Sequence, residues 1–186
     1  MAKYAVANGP GSDGEREACA LSRLISEWAG RDLVGFQLSG AYEKGTAVTF
    51  GTDVDILVSV KKPGDARAVY LSLYQHCVDK HLPPEASGVA IRITSNGLKV
   101  HLIPWNLDRV QQEGGLQSNI GNCQHTLYDH RRGRTIETNL SRQIDYVRAS
   151  GRTDEIRAFK IWRERNQLDW PSFYLELTVI QALDEA

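Results

Sequence analysis

Asp53 and Asp55 stand two residues apart at the head of an apolar run formed by Val54, Ile56, Leu57 and Val58. On a strand, residues i and i+2 share a face. Two carboxylates therefore point the same way from an element composed for burial. A buried charge is costly unless it is paired or binds a metal. Upstream lies a small-residue turn, Ser39-Gly40-Ala41, followed by Lys44-Gly45-Thr46. Backbone N–H groups of a Gly-rich turn suit phosphate oxygens, and acid oxygens suit Mg²⁺. The stretch 39–58 is thus suited to a metal-bound triphosphate. The bland alternative is a solvated acid pair in a surface turn, and the apolar run after Asp55 argues against it.

The elements that must hold these residues follow from periodicity. Ser12 or Asp13 is placed to cap one helix carrying Cys19, Leu21, Leu24, Ile25 and Trp28, ended by Gly30. Leu33 to Leu38 and Asp53 to Val60 read as strands. Residues 61–65 are turn chemistry, and 66–82 form a helix stopped by Pro83-Pro84. Val89 to Thr94 and Leu98 to Ile103 flank Ser95-Asn96-Gly97, a hairpin signal. Residues 106–134 are polar, Gly-rich and without clear periodicity. Leu140 to Ala149, Asp154 to Arg165 and Ser172 onward read as helices, with Ile156, Phe159 and Trp162 on one face of the second. The last is apolar on several sides and is expected to be buried, which suggests a piece of a longer protein. This order is α+β: a small mixed sheet with a C-terminal helical half.

The 186 residues suit one domain with a helical appendage, and 41% hydrophobic content suffices for a core. A net charge of −1 excludes a general electrostatic sponge for nucleic acid. RNA contact would need local patches such as His130-Arg131-Arg132-Gly133-Arg134, which reads equally as a solvated loop. Cys19, Cys77 and Cys123 show no zinc or disulfide spacing, which favours a reducing cytoplasm. Cys19 and Cys77 are expected in the core. Trp105, Trp162 and Trp170 are expected to pack rather than stack on bases. No run approaches membrane-spanning length.

Taken in order, these residues resemble the class I nucleotidyltransferases of the polymerase-β superfamily. That branch includes archaeal CCA-adding enzymes, oligoadenylate synthases and bacterial cyclic-oligonucleotide synthases. Its Gly-Ser, Gly-Thr and Asp-x-Asp motif appears as Gly40-Ala41, Gly45-Thr46 and Asp53-Val54-Asp55. Its third-acid phrase appears as Val100-His101-Leu102-Ile103-Pro104. Phe159-Lys160-Ile161-Trp162 and Ser172-Phe173-Tyr174-Leu175-Glu176 are similar to its triphosphate-holding helices. The match spans about residues 33–183.

The resemblance implies a catalytic core over 1–134 and a helical segment over 135–186 that completes the nucleotide cleft. It implies transfer of a nucleoside monophosphate from an NTP to a hydroxyl acceptor, an RNA or tRNA 3′ end or a nucleotide. Mg²⁺, with Mn²⁺ as a substitute, would be held by Asp53 and Asp55. Gly40 and Ala41 would cradle phosphates, with Lys160 and Ser172 contacting them and Thr138 touching the ribose or base. Two positions depart from the pattern. Ala41 replaces a serine, with a loss of about 1 kcal/mol. His101 replaces the third acid, and Mg²⁺ is poorly served by imidazole. His101 is then a base, a ligand for Mn²⁺ or Zn²⁺, a satisfied core histidine, or a residue that impairs turnover. In the last case the chain is an inactive nucleotide-binding or interaction module of the same fold.

Overall fold

The computed structural model describes Tyr4, Val6 and residues 11–49, 52–62, 64–106 and 125–184. Cys123 lies outside the described residues. Two short helices open the fold, α1 (Asp13–Ala20) and α2 (Ser22–Ala29). Ser12 Oγ accepts from Glu15 N–H at 3.1 Å, the expected cap. The single helix expected here is divided at Leu21, while its buried face runs on through Ala18, Leu21, Ile25 and Trp28, and Cys19 stands about 100° round from Ala18. Gly14, Glu17 and Ala18 are the buried positions of α1, so Cys19 is exposed rather than in the core. Cys77 is fully buried, as expected.

Strands β1 (Leu33–Leu38) and β2 (Val54–Val60) flank the five-residue helix α3 (Gly40–Lys44). Helix α4 (Ala66–Asp79) follows, then β3 (Glu85–Ser87), β4 (Ala90–Ser95) and β5 (Leu98–Asn106). The five strands make one mixed sheet in the order β1-β2-β5-β4-β3. Only the β2–β5 pair is parallel. Asn96 (φ 49°) and Gly97 (φ 78°) make the expected two-residue turn between β4 and β5.

Alternation along β2 sorts its residues between two faces. Val54, Ile56, Val58 and Val60 enter the main core with Ile25, Trp28, Val69, Leu73, Cys77, Ile91, Ile93 and Leu102. Asp55 and Leu57 point to the opposite face, where Leu57 joins Ile103, Trp105 and Leu127. Trp105 is thus a packing residue. Leu127 belongs to a hairpin of β6 (His125–Asp129) and β7 (Arg134–Thr138), strands that the 106–134 stretch gave no sign of.

The helical half comprises α5 (Leu140–Ala149), α6 (Thr153–Arg165) and α7 (Ser172–Asp184). Its own core is Val147, Ile156, Leu175, Val179 and Ile180. Helix α6 departs from expectation. It buries Ile156, Lys160 and Arg163 at i, i+4 and i+7, leaving Phe159 and Trp162 each 45% exposed. Trp170 is exposed as well, with its ring 5.8 Å from that of Trp162. The inward face of α6 is chosen by where its cations find partners, not by its aromatics. Among the described residues, no helix is long and apolar enough to cross a membrane.

Candidate nucleotide site

A cavity of about 250 Å³ opens between the sheet and the helical half. Asp53, Asp55 and His101 line one side, and Lys44, Lys160, Arg163 and Glu176 line another. Gly40, Ala41 and Ser172 also border it. Seven of the eight residues singled out from sequence therefore meet around one space. Thr138 does not line it; it sits at the end of β7, where its Oγ1 accepts from Gln143 Nε2 at 2.8 Å.

Strand register builds the acidic wall. Asp55 on β2 is paired with His101 on β5, His101 with Arg92 on β4, and Arg92 with Glu85 on β3. Side chains in register on neighbouring strands lie within reach of one another. His101 Nδ1 is 3.0 Å from Asp55 Oδ1, and its Nε2 is 3.2 Å from both Asp53 Oδ2 and Arg92 Nε. An unprotonated Nε2 accepts from Arg92, whereas a protonated one donates to Asp53. Where Nδ1 carries a proton it donates to Asp55, and neither ring nitrogen then offers a free lone pair to an ion.

The turn fits against this wall with no space to spare. Gly40 has φ +58°, and a Cβ there would lie 1.7 Å from Asp55 Oδ2. Ser39 N–H donates to the Asp55 carbonyl at 2.8 Å. Glycine is thus required twice at this position, for the backbone angle and for the carboxylate.

The cationic wall centres on Glu176, which is 1% exposed. Lys44 Nζ donates to its Oε2 at 2.7 Å and Lys160 Nζ to its Oε1 at 2.6 Å. Lys160 also donates to Thr46 Oγ1 at 2.8 Å. Burial pushes the Lys160 ammonium below its ordinary pKa, against the opposing pull of Glu176, with Lys44 and Arg163 adding to the drop. Burial favours a neutral Glu176, but Lys160 and Lys44 outweigh it and hold the carboxyl below its ordinary range. Arg163 donates to Ser172 Oγ at 3.0 Å and to the Trp170 carbonyl at 2.9 Å. Arg163 is also paired with Glu164, at 2.7 Å, so Lys44 and Lys160 against the single Glu176 carboxylate leave this wall a net charge of about +1.

Sequence reasoning gave no separate role to Arg92, Arg163, Lys44 or Glu176. A signal was present for two of them. Arg92 interrupts Ile91-Arg92-Ile93, and Glu176 sits between Leu175 and Leu177. A lone charge inside an apolar run needs a buried partner.

The donor set can be weighed against a metal. Asp53 and Asp55 line the same cavity as the cations, which fits one Mg²⁺ shared with phosphate oxygens and water. Among the described residues, no three His, Cys, Asp or Glu side chains form a ready-made metal site. With both nitrogens of His101 engaged, the fit is to one ion and not to two.

No protein-family model matches the chain, and no curated protein matches it in sequence. Solved structures do match in fold. CdnC of E. coli MS115-1, determined with ATP, superposes with a TM-score of 0.63 at 19% identity, over 94% of this chain and 59% of that one. The CdnE cyclic dinucleotide synthase of Elizabethkingia meningoseptica, with GTP and Apcpp, gives 0.64 at 14% identity, over 89% and 67%. The DncV cyclic AMP-GMP synthase of Vibrio cholerae gives 0.59 at 16% identity, over 82% and 45%. The chain spans about three fifths of the CdnC length. The five-stranded mixed sheet, the helical half and these superpositions together show that this chain has the polymerase-β-type nucleotidyltransferase fold, in the form seen in bacterial cyclic-nucleotide synthases.

Proposed function

We propose that this chain binds an NTP with one divalent cation and transfers its nucleoside monophosphate to a hydroxyl acceptor, at a rate limited by His101. The observation that carries this reading is the division of one cavity into an acidic wall, Asp53 and Asp55, and a cationic wall, Lys44, Lys160 and Arg163. A metal–triphosphate complex has the matching polarity. The cation on the acid side would be Mg²⁺, with Mn²⁺ as a substitute, and its chemistry would be to neutralise and polarise phosphate oxygens.

The chain's own residues would do the rest. Asp53 and Asp55 hold the cation; the backbone at Gly40 and Ala41 meets the phosphates. Lys160 neutralises charge on the triphosphate as a point cation. Ser172, fixed by Arg163, presents its hydroxyl to a phosphate oxygen. The acceptor class is the 3′ hydroxyl of a nucleotide or an RNA. The fold neighbours favour the nucleotide, since their names describe cyclic dinucleotide and cyclic AMP-GMP synthases.

A second reading is favoured by the Asp55–His101–Arg92 row. There the chain keeps the nucleotide site and lacks turnover, because imidazole and guanidinium stand where a third acid would serve a second ion. Calorimetry with ATP and GTP, with Mg²⁺ or Mn²⁺, followed by labelled-NTP transfer, separates the two. Transfer by the unaltered chain that Asp53→Ala abolishes supports the first. Activity that arises only in His101→Asp supports the second. Absence of NTP binding at millimolar concentration counts against both.

A further inference from the structure

The two cations that share Glu176 come from different halves of the molecule. Lys44 ends α3 on the sheet side, and Lys160 lies in the middle of α6. Both are buried, at 7% and 2% exposure, and both end on the same carboxylate. Each oxygen of Glu176 takes one ammonium. Thr46 fills the remaining gap, with its hydroxyl 3.2 Å from Glu176 Oε1 and 2.8 Å from Lys160 Nζ. The Lys44 ammonium also sits over the Phe173 ring at 4.6 Å, a cation–π contact that fixes its direction.

An isolated pair would need one cation. Here two cations converge on one anion, which leaves an unbalanced positive charge beside a cavity. Two like charges held close in a low-dielectric setting are unfavourable until an anion arrives. Polyphosphate is an anion of the right class, and all three charged groups border the cavity it would enter.

We propose that Glu176 is a positioning residue for the polyphosphate of the substrate, fixing Lys44 and Lys160 together, and that Lys44 contacts that polyphosphate alongside Lys160. This rests on the nucleotide reading above. Glu176 acts through the two lysines and does not itself touch the phosphate. Charged groups facing Lys160 are Glu176 on α7, Lys44 on α3 and Arg163 on α6. Glu176 supports the charged form of Lys160, while Lys44 and Arg163 oppose it.

The test is the affinity for ATP with Mg²⁺, measured by calorimetry from pH 6.5 to 9.5 on the unaltered chain and on Glu176→Gln. At low pH the variant should bind as tightly as the unaltered chain or more tightly, because an anion beside the phosphate is gone. As pH rises, Lys160 should lose its proton earlier in the variant, so affinity should fall about tenfold more than in the unaltered chain across this range. Equal affinity at every pH, or one uniform loss at every pH, would overturn the proposal, since a merely structural role moves no pH limb.

Should Glu176→Gln fail to melt cooperatively, Lys44→Met carries the test. It should bind ATP about tenfold more weakly near neutral pH, with the alkaline fall moved to higher pH because a cation facing Lys160 is gone. Unaltered affinity in a folded Lys44→Met would overturn the proposal. If the unaltered chain itself binds no ATP, the nucleotide reading fails first and this inference with it.

Discussion

At the scale of single residues, Gly40 is where backbone and chemistry meet. A methyl group at this position collides with the Asp55 carboxylate and forces a left-handed backbone angle on alanine. Gly40→Ala should lower the unfolding free energy by about 2 kcal/mol, read from urea melts. Its effect on metal–nucleotide affinity should be larger than any effect of a surface change of equal stability cost, because the displaced group is Asp55. Normal affinity in a folded Gly40→Ala would show that the carboxylate's place is not set by the turn. Most of this site was legible in sequence because its residues sit in short local patterns: Gly40-Ala41, Asp53-Val54-Asp55, and Lys160 beside Ile161. Arg92 and Glu176 acquire their meaning only from partners the fold brings up, His101 nine positions away for the first, Lys160 and Lys44 at 16 and 132 positions for the second. No local spacing carries that information.

At the scale of elements, the β4–β5 hairpin is the clearest contrast to the site turn. Asn96 and Gly97 both adopt positive φ, and a Cβ on Gly97 would meet nothing within 4 Å. The cost of Gly97→Ala is therefore conformational alone, about 1 kcal/mol in a chemical melt. Nucleotide affinity should stay within error of the unaltered chain, since Gly97 does not border the cavity. A loss of affinity there would mean that the hairpin sets the position of His101 more tightly than its packing suggests. This hairpin was readable because Asn-Gly forces one turn whatever surrounds it. Helix α6 was misread because its aromatics suggest a buried stripe, while Lys160 and Arg163 look solvated. The energetics invert this: a buried ion pair with Glu176 holds the cationic face inward, and the half-exposed rings of Phe159, Trp162 and Trp170 contact one another outside. The β6–β7 hairpin gave no signal because its turn, His130 to Gly133, is rich in arginine and reads as loop.

At the scale of the whole molecule, the buried residues of the main core come from four strands and four helices, and they include a thiol and a phenol that resist ionisation. Burial pushes the Cys77 thiol from an ordinary 9.0 up to about 11. Burial likewise pushes the Tyr70 hydroxyl from 10.0 up to about 12, and that hydroxyl donates to the Ala90 carbonyl at 3.0 Å. Both groups keep their protons in the folded state after the unfolded chain has lost them. The unfolded state then binds fewer protons, so stability must fall as pH rises. The stability from Cys77 is fully present below pH 9 and is lost between about 9 and 11; that from Tyr70 goes between about 10 and 12. Each contributes a slope of about 1.4 kcal/mol per pH unit within its window. Lys160 works the other way, since its folded value is lowered and it releases its proton earlier in the folded state. A raw alkaline limb therefore mixes both signs, and a variant is needed to separate them. Cys77→Ala removes one group and leaves a small cavity, costing about 1 kcal/mol at pH 8. Between pH 9 and 10.5 its stability should decline less steeply than that of the unaltered chain, so the two curves converge and then cross. Urea melts under reducing conditions at four pH values measure this directly. Parallel curves would mean that the thiol ionises as readily in the folded core as in the unfolded chain, in conflict with its complete burial on the inner face of α4.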